Sequence, residues 1–165
     1  MNKELISAYM DTAERFAALS KAVKLKVGAI AVKDDRIISI GYNGTPSGWN
    51  NSCEDVISTY DERDTYHQEG WSFDESTKLY TKLETKPEVL HAEMNALMKL
   101  AKSNESGNGA AMFITHSPCI HCAKGIFQAG FAAVYYRELY RDSTGLKFLN
   151  QCGIDTIRVS NGTPL

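Results

Sequence analysis

The sequence lacks a long apolar run, an excess of basic residues and any internal repeat. Its 165 residues contain nothing close to the run of about 20 apolar residues that a membrane span requires. The amino terminus also lacks the apolar stretch of an export signal, so we expect a cytoplasmic protein. The formal net charge of -2 differs from the basic excess of proteins that clamp a nucleic-acid backbone, which favours a small-molecule partner.

Cysteine is also scarce, and the residues are Cys53, Cys119, Cys122 and Cys152. In a reducing compartment, a close pair such as Cys119 and Cys122 indicates metal binding or redox activity before it indicates a disulfide. We therefore expect no structural disulfide in this chain.

The chain has the length of one ordinary domain, and we predict a single domain over 1–165 with an insertion or long loop at about 45–86. Apolar residues at three- and four-residue steps predict a first helix over 5–19. Two β-rich segments follow at 27–33 and 36–42, separated by a polar break suited to a hairpin. The insertion shows little periodicity, but a structureless loop of that length is unusual in a compact domain, so we expect local structure and a functional role there.

The second half of the chain alternates helices and strands. A segment rich in helix formers follows Pro87 and places His91 and Glu93 in the first turn of a helix. The next segments predict a strand, a helix, a strand, a short helix and a strand at 111–116, 118–130, 131–137, 145–150 and 154–160. This order predicts an α/β fold, in which helices cover a sheet.

The motif that points most directly to chemistry is split between two segments. Residues 91–93 read His-Ala-Glu and residues 118–122 read Pro-Cys-Ile-His-Cys, which matches the H-x-E and P-C-x-x-C signature of zinc deaminases. Cys119 and Cys122 are three apart at a helix start, where they share a face and the positive helix end favours thiolates. With His91 they form a ligand set that suits zinc and leaves the fourth tetrahedral position open for water, as in catalytic sites.

Glu93 stands two residues beyond the predicted ligand His91, within reach of a water on the metal. Bound zinc lowers the pKa of its water from about 15.7 toward about 7, which makes hydroxide available as a nucleophile. The Glu93 carboxylate can take the proton, pass it to a ring nitrogen of the base and later protonate the departing ammonia. The alternative is a zinc knuckle that only stabilises the fold, and it leaves the position of Glu93 unexplained.

Three segments carry a wider resemblance, namely VGAIAV at 27–32, GYNGTPSG at 41–48 and HAEMNAL at 91–97. Together they resemble the deoxycytidylate (dCMP) deaminases over most of the chain. The resemblance implies a cytidine-deaminase-like three-layer α/β/α fold with a mixed five-stranded sheet, and hydrolysis of dCMP to dUMP and ammonia for thymidylate synthesis. It also implies a homo-oligomer, commonly a hexamer, that dCTP activates and dTTP inhibits, with Mg²⁺ accompanying the regulatory triphosphate.

The same resemblance assigns binding residues by motif. It implies that Asn43 holds the sugar and that Tyr140 stacks on the base, with a simple turn and ordinary packing as the alternatives. Lys24 stands where the family usually has an arginine, and Lys102 lies where a basic residue approaches the 5′-phosphate. Both are equally compatible with solvated surface lysines. The remaining substrate positions are Thr45, Ala92, Ser117 and Pro118, and the regulatory nucleotide positions are Gly41, Tyr42 and Gly44.

Some members of that family carry a second, structural zinc, held partly by a cysteine shortly before the first strand. This sequence has Ala22 at that place, and Cys53 and His67 remain in the insertion. Isolated cysteines and histidines of this kind are more often packing residues. The sequence therefore disfavours a second zinc and leaves open that Cys53 and His67 belong to a rearranged site.

Two other functions stay open. A tRNA adenosine or polynucleotide cytosine deaminase would use the same zinc and glutamate, but it calls for a basic surface. A non-catalytic zinc-binding interaction module would keep the metal without turnover, and the position of Glu93 argues against it. The sequence also leaves dCMP, dCTP and deoxycytidine open as substrates, since each presents the same ring to the metal.

Overall fold

The computed structural model of the protein describes residues 1–59, 70–160 and 163–164. Its helices are α1 Lys3–Ala17, α2 Ala92–Leu100, α3 Ile120–Gln128 and α4 Thr144–Gln151. Its strands are β1 Gly28–Lys33, β2 Arg36–Tyr42, β3 Glu54–Thr59, β4 Trp71–Asp74, β5 Leu79–Thr85, β6 Ala111–His116, β7 Ala133–Glu138, β8 Asp155–Ser160 and β9 Thr163–Pro164. Among the described helices, none is long and apolar enough to cross a bilayer.

A mixed sheet forms the centre of the fold. Its strands lie in the order β2-β1-β6-β7-β8-β9, with β1 antiparallel to both of its neighbours and β6, β7 and β8 parallel to one another. The predicted mixed five-stranded sheet is therefore confirmed, and the short β9 extends it at one edge. Helices α3 and α4 form the crossovers between the parallel strands, as parallel pairing requires.

Strand β1 shows how the chain builds one core on each face of this sheet. Alternate side chains of a strand point to opposite faces. Ile30 and Val32 pack with the buried apolar residues of α1. Ala29 and Ala31 pack instead with buried residues of α2, α3 and α4. One helix covers one face and three cover the other, so the predicted three-layer α/β/α arrangement is confirmed.

Helix α1 begins two residues earlier than predicted because Asn2 caps it. The Asn2 Oδ1 accepts a hydrogen bond from the Leu5 N–H at 2.8 Å. Such a bond satisfies an amide that has no partner within the helix, and it extends the helix toward the amino terminus. The helix also ends earlier, at Ala17, and the following Leu19 is exposed.

The described part of the insertion forms a second, smaller sheet. Its strands pair antiparallel in the order β3-β5-β4. Glu54 at the start of β3 pairs with Thr85 at the end of β5. The chain therefore enters and leaves the insertion sheet at the same place. Most side chains of the three strands are exposed or half-buried, which explains why this segment lacks a clear hydrophobic period.

Two glycines let helices lie directly on the main sheet. A Cβ atom at Gly28 would overlap the backbone of α1, and a Cβ atom at Gly41 would overlap the carbonyl oxygen of Ala92 in α2. Helix α2 is also bound to β2 by Ser39, whose hydroxyl donates to the carbonyl oxygen of Ala96 at 2.7 Å. Strand β2 and the first turn of α2 are therefore in direct backbone contact.

We predict that Gly41→Ala destabilises the fold by about 1–3 kcal/mol, because the added methyl group forces α2 away from β2. Gly44→Ala is the matched control, since a Cβ atom there meets no other atom within 4 Å. For this control we expect a change within about 0.5 kcal/mol. Urea unfolding in the presence of zinc measures both free energies, and equal values would show that the contact at Gly41 imposes no packing constraint.

Candidate active site

The structure brings together the three residues that were predicted to bind zinc. The Nδ1 atom of His91 lies 3.6 Å from the Sγ of Cys119 and 3.4 Å from the Sγ of Cys122. A tetrahedral zinc with bonds of about 2.3 Å to sulfur and about 2.05 Å to nitrogen separates such atoms by about 3.5 Å. The donor atoms therefore fit zinc. Among the described residues, this is the one group of three or more His, Cys, Asp or Glu side chains placed to hold a metal.

Two of these ligands stand at the starts of helices. His91 is the N-cap of α2 and Cys119 is the N-cap of α3, and neither side chain caps its own helix. Cys122 follows in the first turn of α3. The prediction that His91 lies within the first turn is wrong by one position, because its extended backbone, with ψ of 151°, precedes the helix. The positive end of α3 lies at both sulfurs and favours thiolates there.

Hydrogen bonding between the two cysteines separates their pKa values. The bond from Cys122 lowers the pKa of Cys119 to about 3, and the bond with His91 acts in the same direction. The same bond with Cys119, together with burial, raises the pKa of Cys122. The pair therefore holds one proton at neutral pH, and a zinc ion that binds both sulfurs displaces it.

Glu93 lies in the first turn of α2, and its residue surface is only 4% exposed. Burial raises the pKa of its carboxyl group. A higher pKa makes the ionised carboxylate a better proton acceptor, which suits a group that takes up and returns a proton in one reaction. Its neighbours in the same cavity include His91 and Cys119.

One cavity joins this cluster to half of the predicted substrate residues. It lies at the carboxyl end of the parallel strands β6 and β7, the end at which ligands of α/β sheets bind. There the Tyr140 N–H donates to the Ser117 Oγ, and the Ser117 N–H donates to the carbonyl oxygen of Glu138, both at 2.8 Å. The predicted site residues that line the cavity are Asn43, His91, Ala92, Glu93, Ser117, Cys119 and Tyr140.

Comparison with known proteins agrees with this geometry. Residues 3–138 match the family model of the cytidine and deoxycytidylate deaminase zinc-binding region. The chain belongs to this family. A dCMP deaminase from the cyanophage S-TIM5, solved with dCMP and dUMP, is 41% identical, with a TM-score of 0.77 over 96% of this chain and 99% of that one.

Two curated relatives are also similar to this deaminase-family chain. The deoxycytidylate deaminase of Enterobacteria phage T4 is 31% identical over 85% of this chain and 82% of its own length. ComE operon protein 2 of Bacillus subtilis is 32% identical over 81% of this chain, and the match spans 59% of that longer protein.

Asn43 of the family's GYNG segment binds backbone on the wall of the cavity. Its Oδ1 accepts from the Val27 N–H and its Nδ2 donates to the Leu25 carbonyl oxygen, both at 2.8 Å. Its own N–H donates to the Val27 carbonyl oxygen at 3.0 Å. These bonds fix the segment before β1 and leave one Nδ2 hydrogen for a ligand, since an amide nitrogen carries two.

Four predicted substrate residues of this family member lie outside the cavity lining. Pro118 is fully buried, and its carbonyl oxygen lies against Gly145 of α4, so it packs instead of contacting a ligand as predicted. Lys102 is exposed in a separate groove beside α2, which removes it from the predicted phosphate position. Thr45 lies outside the cavity lining, and its hydroxyl donates to a backbone carbonyl oxygen at 2.7 Å. Lys24 is exposed and directly precedes the first lining residue in the sequence.

The residues assigned to a regulatory nucleotide also separate in the structure. Tyr42 and Gly44 line a second groove, formed mainly by residues 42–51 and called here the 42–51 groove. Gly41 is buried beneath α2 and does not line this groove, so the structure does not bring it together with Tyr42 and Gly44. A side chain at this position would overlap the backbone of α2. Asn43 lines both the 42–51 groove and the cavity.

Sequence reasoning missed the part of the lining that lies outside the motifs. The missed residues are Leu25, Glu54, Thr85 and Val89. Val27 begins the recognised VGAIAV segment but had no assigned role, and His116, just before the cysteine motif, is predicted from that position either to border the pocket or to bond within its loop; both line the cavity. Glu54 and Thr85 meet only because β3 pairs with β5, which no local spacing predicts. Burial lowers the pKa of His116, so its imidazole is uncharged at neutral pH.

The place expected for a second zinc is apolar in this family member. Ala22, Cys53 and Val89 form a small buried cluster there. Burial raises the pKa of the Cys53 thiol, which disfavours the thiolate that a metal needs. Within the part of the chain that the structure describes, no second group of metal ligands occurs. His67 lies outside the described residues.

We predict one zinc per chain, held by the cluster. Cys119→Ser and Cys122→Ser are expected to lose zinc, because a neutral hydroxyl group replaces a thiolate ligand. Cys53→Ser and Cys152→Ser change cysteines outside the cluster and are expected to retain it. Metal analysis after dialysis measures the number of zinc ions per chain in the native protein and in each variant. Two zinc ions per native chain, falling to one in Cys53→Ser, would overturn the packing role of Cys53.

Proposed function

We propose that this protein is a dCMP deaminase that hydrolyses dCMP to dUMP and ammonia. The observation that carries the proposal is the cavity in which two members of the zinc-binding cluster, His91 and Cys119, lie beside the buried Glu93. The choice of nucleotide is supported by the S-TIM5 enzyme, which was solved with dCMP and dUMP. Because the chain spans 59% of its Bacillus subtilis relative, the activity of the whole protein is part of the proposal.

In the proposed reaction, Glu93 carries both protons. Zinc held by His91, Cys119 and Cys122 supplies, when bound, the Lewis acidity that lowers the pKa of water toward about 7. Glu93 removes a proton from the attacking water and delivers it to ring nitrogen N3, while the water oxygen bonds to C4. It then takes the remaining proton of that oxygen and gives it to the amino group. The C4–N4 bond breaks, ammonia leaves and the carboxylate returns to its starting state.

Substrate binding in this proposal uses the other lining residues. Asn43 offers its free amide hydrogen to the sugar, and Tyr140 packs against the base. Ala92 and Ser117 complete the wall beside the base. Lys24 is exposed next to the lining segment, so we assign it to the 5′-phosphate at the mouth of the cavity. Its ammonium group attracts phosphate without the bidentate geometry of the arginine usual in the family.

We predict that the protein releases ammonia from dCMP and that Glu93→Gln lowers kcat by about 10²–10⁴-fold, because the proton carrier is removed. The variant keeps the zinc ligands and is expected to keep its zinc. Glu105→Gln is the matched control, since Glu105 lies outside the cavity and forms only a surface ion pair with Arg36 at 3.7 Å. Native kcat in Glu93→Gln would contradict the assigned role.

The same ammonia assay separates dCMP from the alternative substrates. The net charge of -2 disfavours a polynucleotide substrate, and so does the described cavity lining, which contains no lysine or arginine. Turnover of tRNA or single-stranded DNA in place of dCMP would favour the polynucleotide alternative. No turnover of any nucleotide, with zinc retained, would favour the interaction module. Faster turnover of dCTP or deoxycytidine than of dCMP would correct the substrate alone.

Regulation is a further part of the proposal. The enzyme is proposed to be a cytoplasmic homohexamer that supplies dUMP for thymidylate synthesis, activated by dCTP and inhibited by dTTP, with Mg²⁺ on the triphosphate. Lys21, Trp49 and Lys99 line the 42–51 groove, and two cations with an exposed aromatic ring suit a nucleotide. Asn43 lines this groove and the cavity, so a nucleotide that orders the turn also moves a substrate residue.

We predict that dCTP shifts the dCMP saturation curve toward higher activity and that dTTP shifts it toward lower activity. Each effector must bind two conformations unequally for this to occur. Gly44→Val is expected to blunt both responses, because its side chain enters open space in the groove, and to leave zinc content unchanged. Saturation curves at fixed ionic strength, with and without each triphosphate, measure the response. Superimposable native curves would remove regulation from the proposal.

A further inference from the structure

We infer that Glu54 of the insertion is a positioning residue for the substrate, because it holds the segment 23–27 that forms one wall of the cavity. This inference rests on the proposed deaminase function and extends it to the insertion. Glu54 and its strand partner Thr85 both line the cavity, so the insertion sheet is part of the site.

The Glu54 carboxylate binds two consecutive backbone amides. Its Oε1 accepts from the N–H groups of Val23 and Lys24, both at 3.1 Å, and its Oε2 accepts from the Val23 N–H at 3.2 Å. Residues 23 and 24 lie between α1 and β1, in neither a helix nor a strand, so no ladder or helix bond supplies these amides with a partner. Backbone donors need an acceptor, and here a side chain from the insertion supplies it.

The other end of the same segment is held by Asn43, through its bonds to the backbone of Leu25 and Val27. All three of these residues line the cavity. The wall is therefore fixed at one end by the GYNG turn and at the other end by the insertion.

A second contact docks the insertion at the same place. Ala22 and Cys53 are buried against each other together with Val89, directly beside the Glu54 bonds. The Lys86 N–H donates to the Cys53 carbonyl oxygen at 3.0 Å and closes the end of the insertion sheet. The apolar cluster anchors the sheet, and the Glu54 carboxylate transmits its position to the cavity wall.

Glu54 acts on substrate binding and not on the chemical step. Glu93 and the metal ligands stand at the starts of α2 and α3, and the Glu54 carboxylate bonds instead to the amides of Val23 and Lys24. Loss of the carboxylate therefore loosens the binding wall while the reacting groups stay in place. A role limited to folding would instead lower the active fraction and leave the KM of the remaining enzyme unchanged.

The test compares Glu54→Ala, Glu54→Gln and Asp55→Asn in the zinc-loaded protein. We expect Glu54→Ala to raise the KM for dCMP by about tenfold, the effect of losing charge-assisted hydrogen bonds to two backbone amides, with kcat changed far less. Glu54→Gln keeps one neutral acceptor oxygen in place of the carboxylate and is expected to restore only part of the affinity, with a KM about threefold above that of the native protein. Asp55→Asn is the neighbouring control, because that carboxylate is 67% exposed and pairs with Lys86 at 3.5 Å. Calorimetric titration with dUMP gives the affinity without turnover.

The proposed function and the positioning role of Glu54 are contradicted by different results. Absence of dCMP turnover in the native protein would count against the proposed function itself. Native turnover with the same KM and the same dUMP affinity in Glu54→Ala would overturn the inference alone, as would a fall in kcat or zinc content at unchanged KM. Should Glu54→Ala fail to fold, Glu54→Gln decides the matter, because a KM and a dUMP affinity equal to those of Asp55→Asn would overturn the positioning role.

Discussion

The direct contact of α2 with β2 is the constraint on which the candidate site depends. The carbonyl oxygen of Ala92 lies where a side chain at Gly41 would otherwise stand. Ala92 is the first residue of the helix, so this contact fixes the helix start and with it His91 and Glu93 on either side. The Asn95 side chain adds a bond from its Nδ2 to the Tyr42 carbonyl oxygen at 2.8 Å. Glu93, the proposed proton carrier, and His91, a candidate metal ligand, therefore take their positions from a strand that contributes neither of them.

The second half of the site comes from α3, whose start follows the parallel strand β6. Helices α2 and α3 also approach each other closely, since a Cβ atom at Gly125 would lie 3.0 Å from Leu97. Each helix delivers its ligands from its first turn or its cap, so the metal site sits between two helix starts. The cavity then opens from this point toward a wall that the segment 23–27 and the insertion sheet complete.

The sequence predicts the chemistry of this site better than its boundary. His91, Cys119 and Cys122 are predictable because each lies in a short motif whose spacing already specifies zinc. Glu54 enters the cavity through strand pairing, which a mostly exposed and aperiodic segment does not reveal. Gly41 belongs to a recognised motif, yet the motif does not show whether its missing side chain makes room for a helix or for a ligand.

Metal ligands at helix caps also bear on how the chain can change over generations. His91 and Cys119 leave their own helices uncapped and point their side chains toward the centre of the site. Apart from bonds such as that of Asn95, the bodies of α2 and α3 are held by packing, and packing tolerates exchange among apolar residues of similar volume. Apolar positions in the bodies of both helices accept such exchanges, provided that the two helix starts keep their positions. The metal site is thus more sensitive to a shift of residues 91 and 119 than to repacking of the helices that begin there.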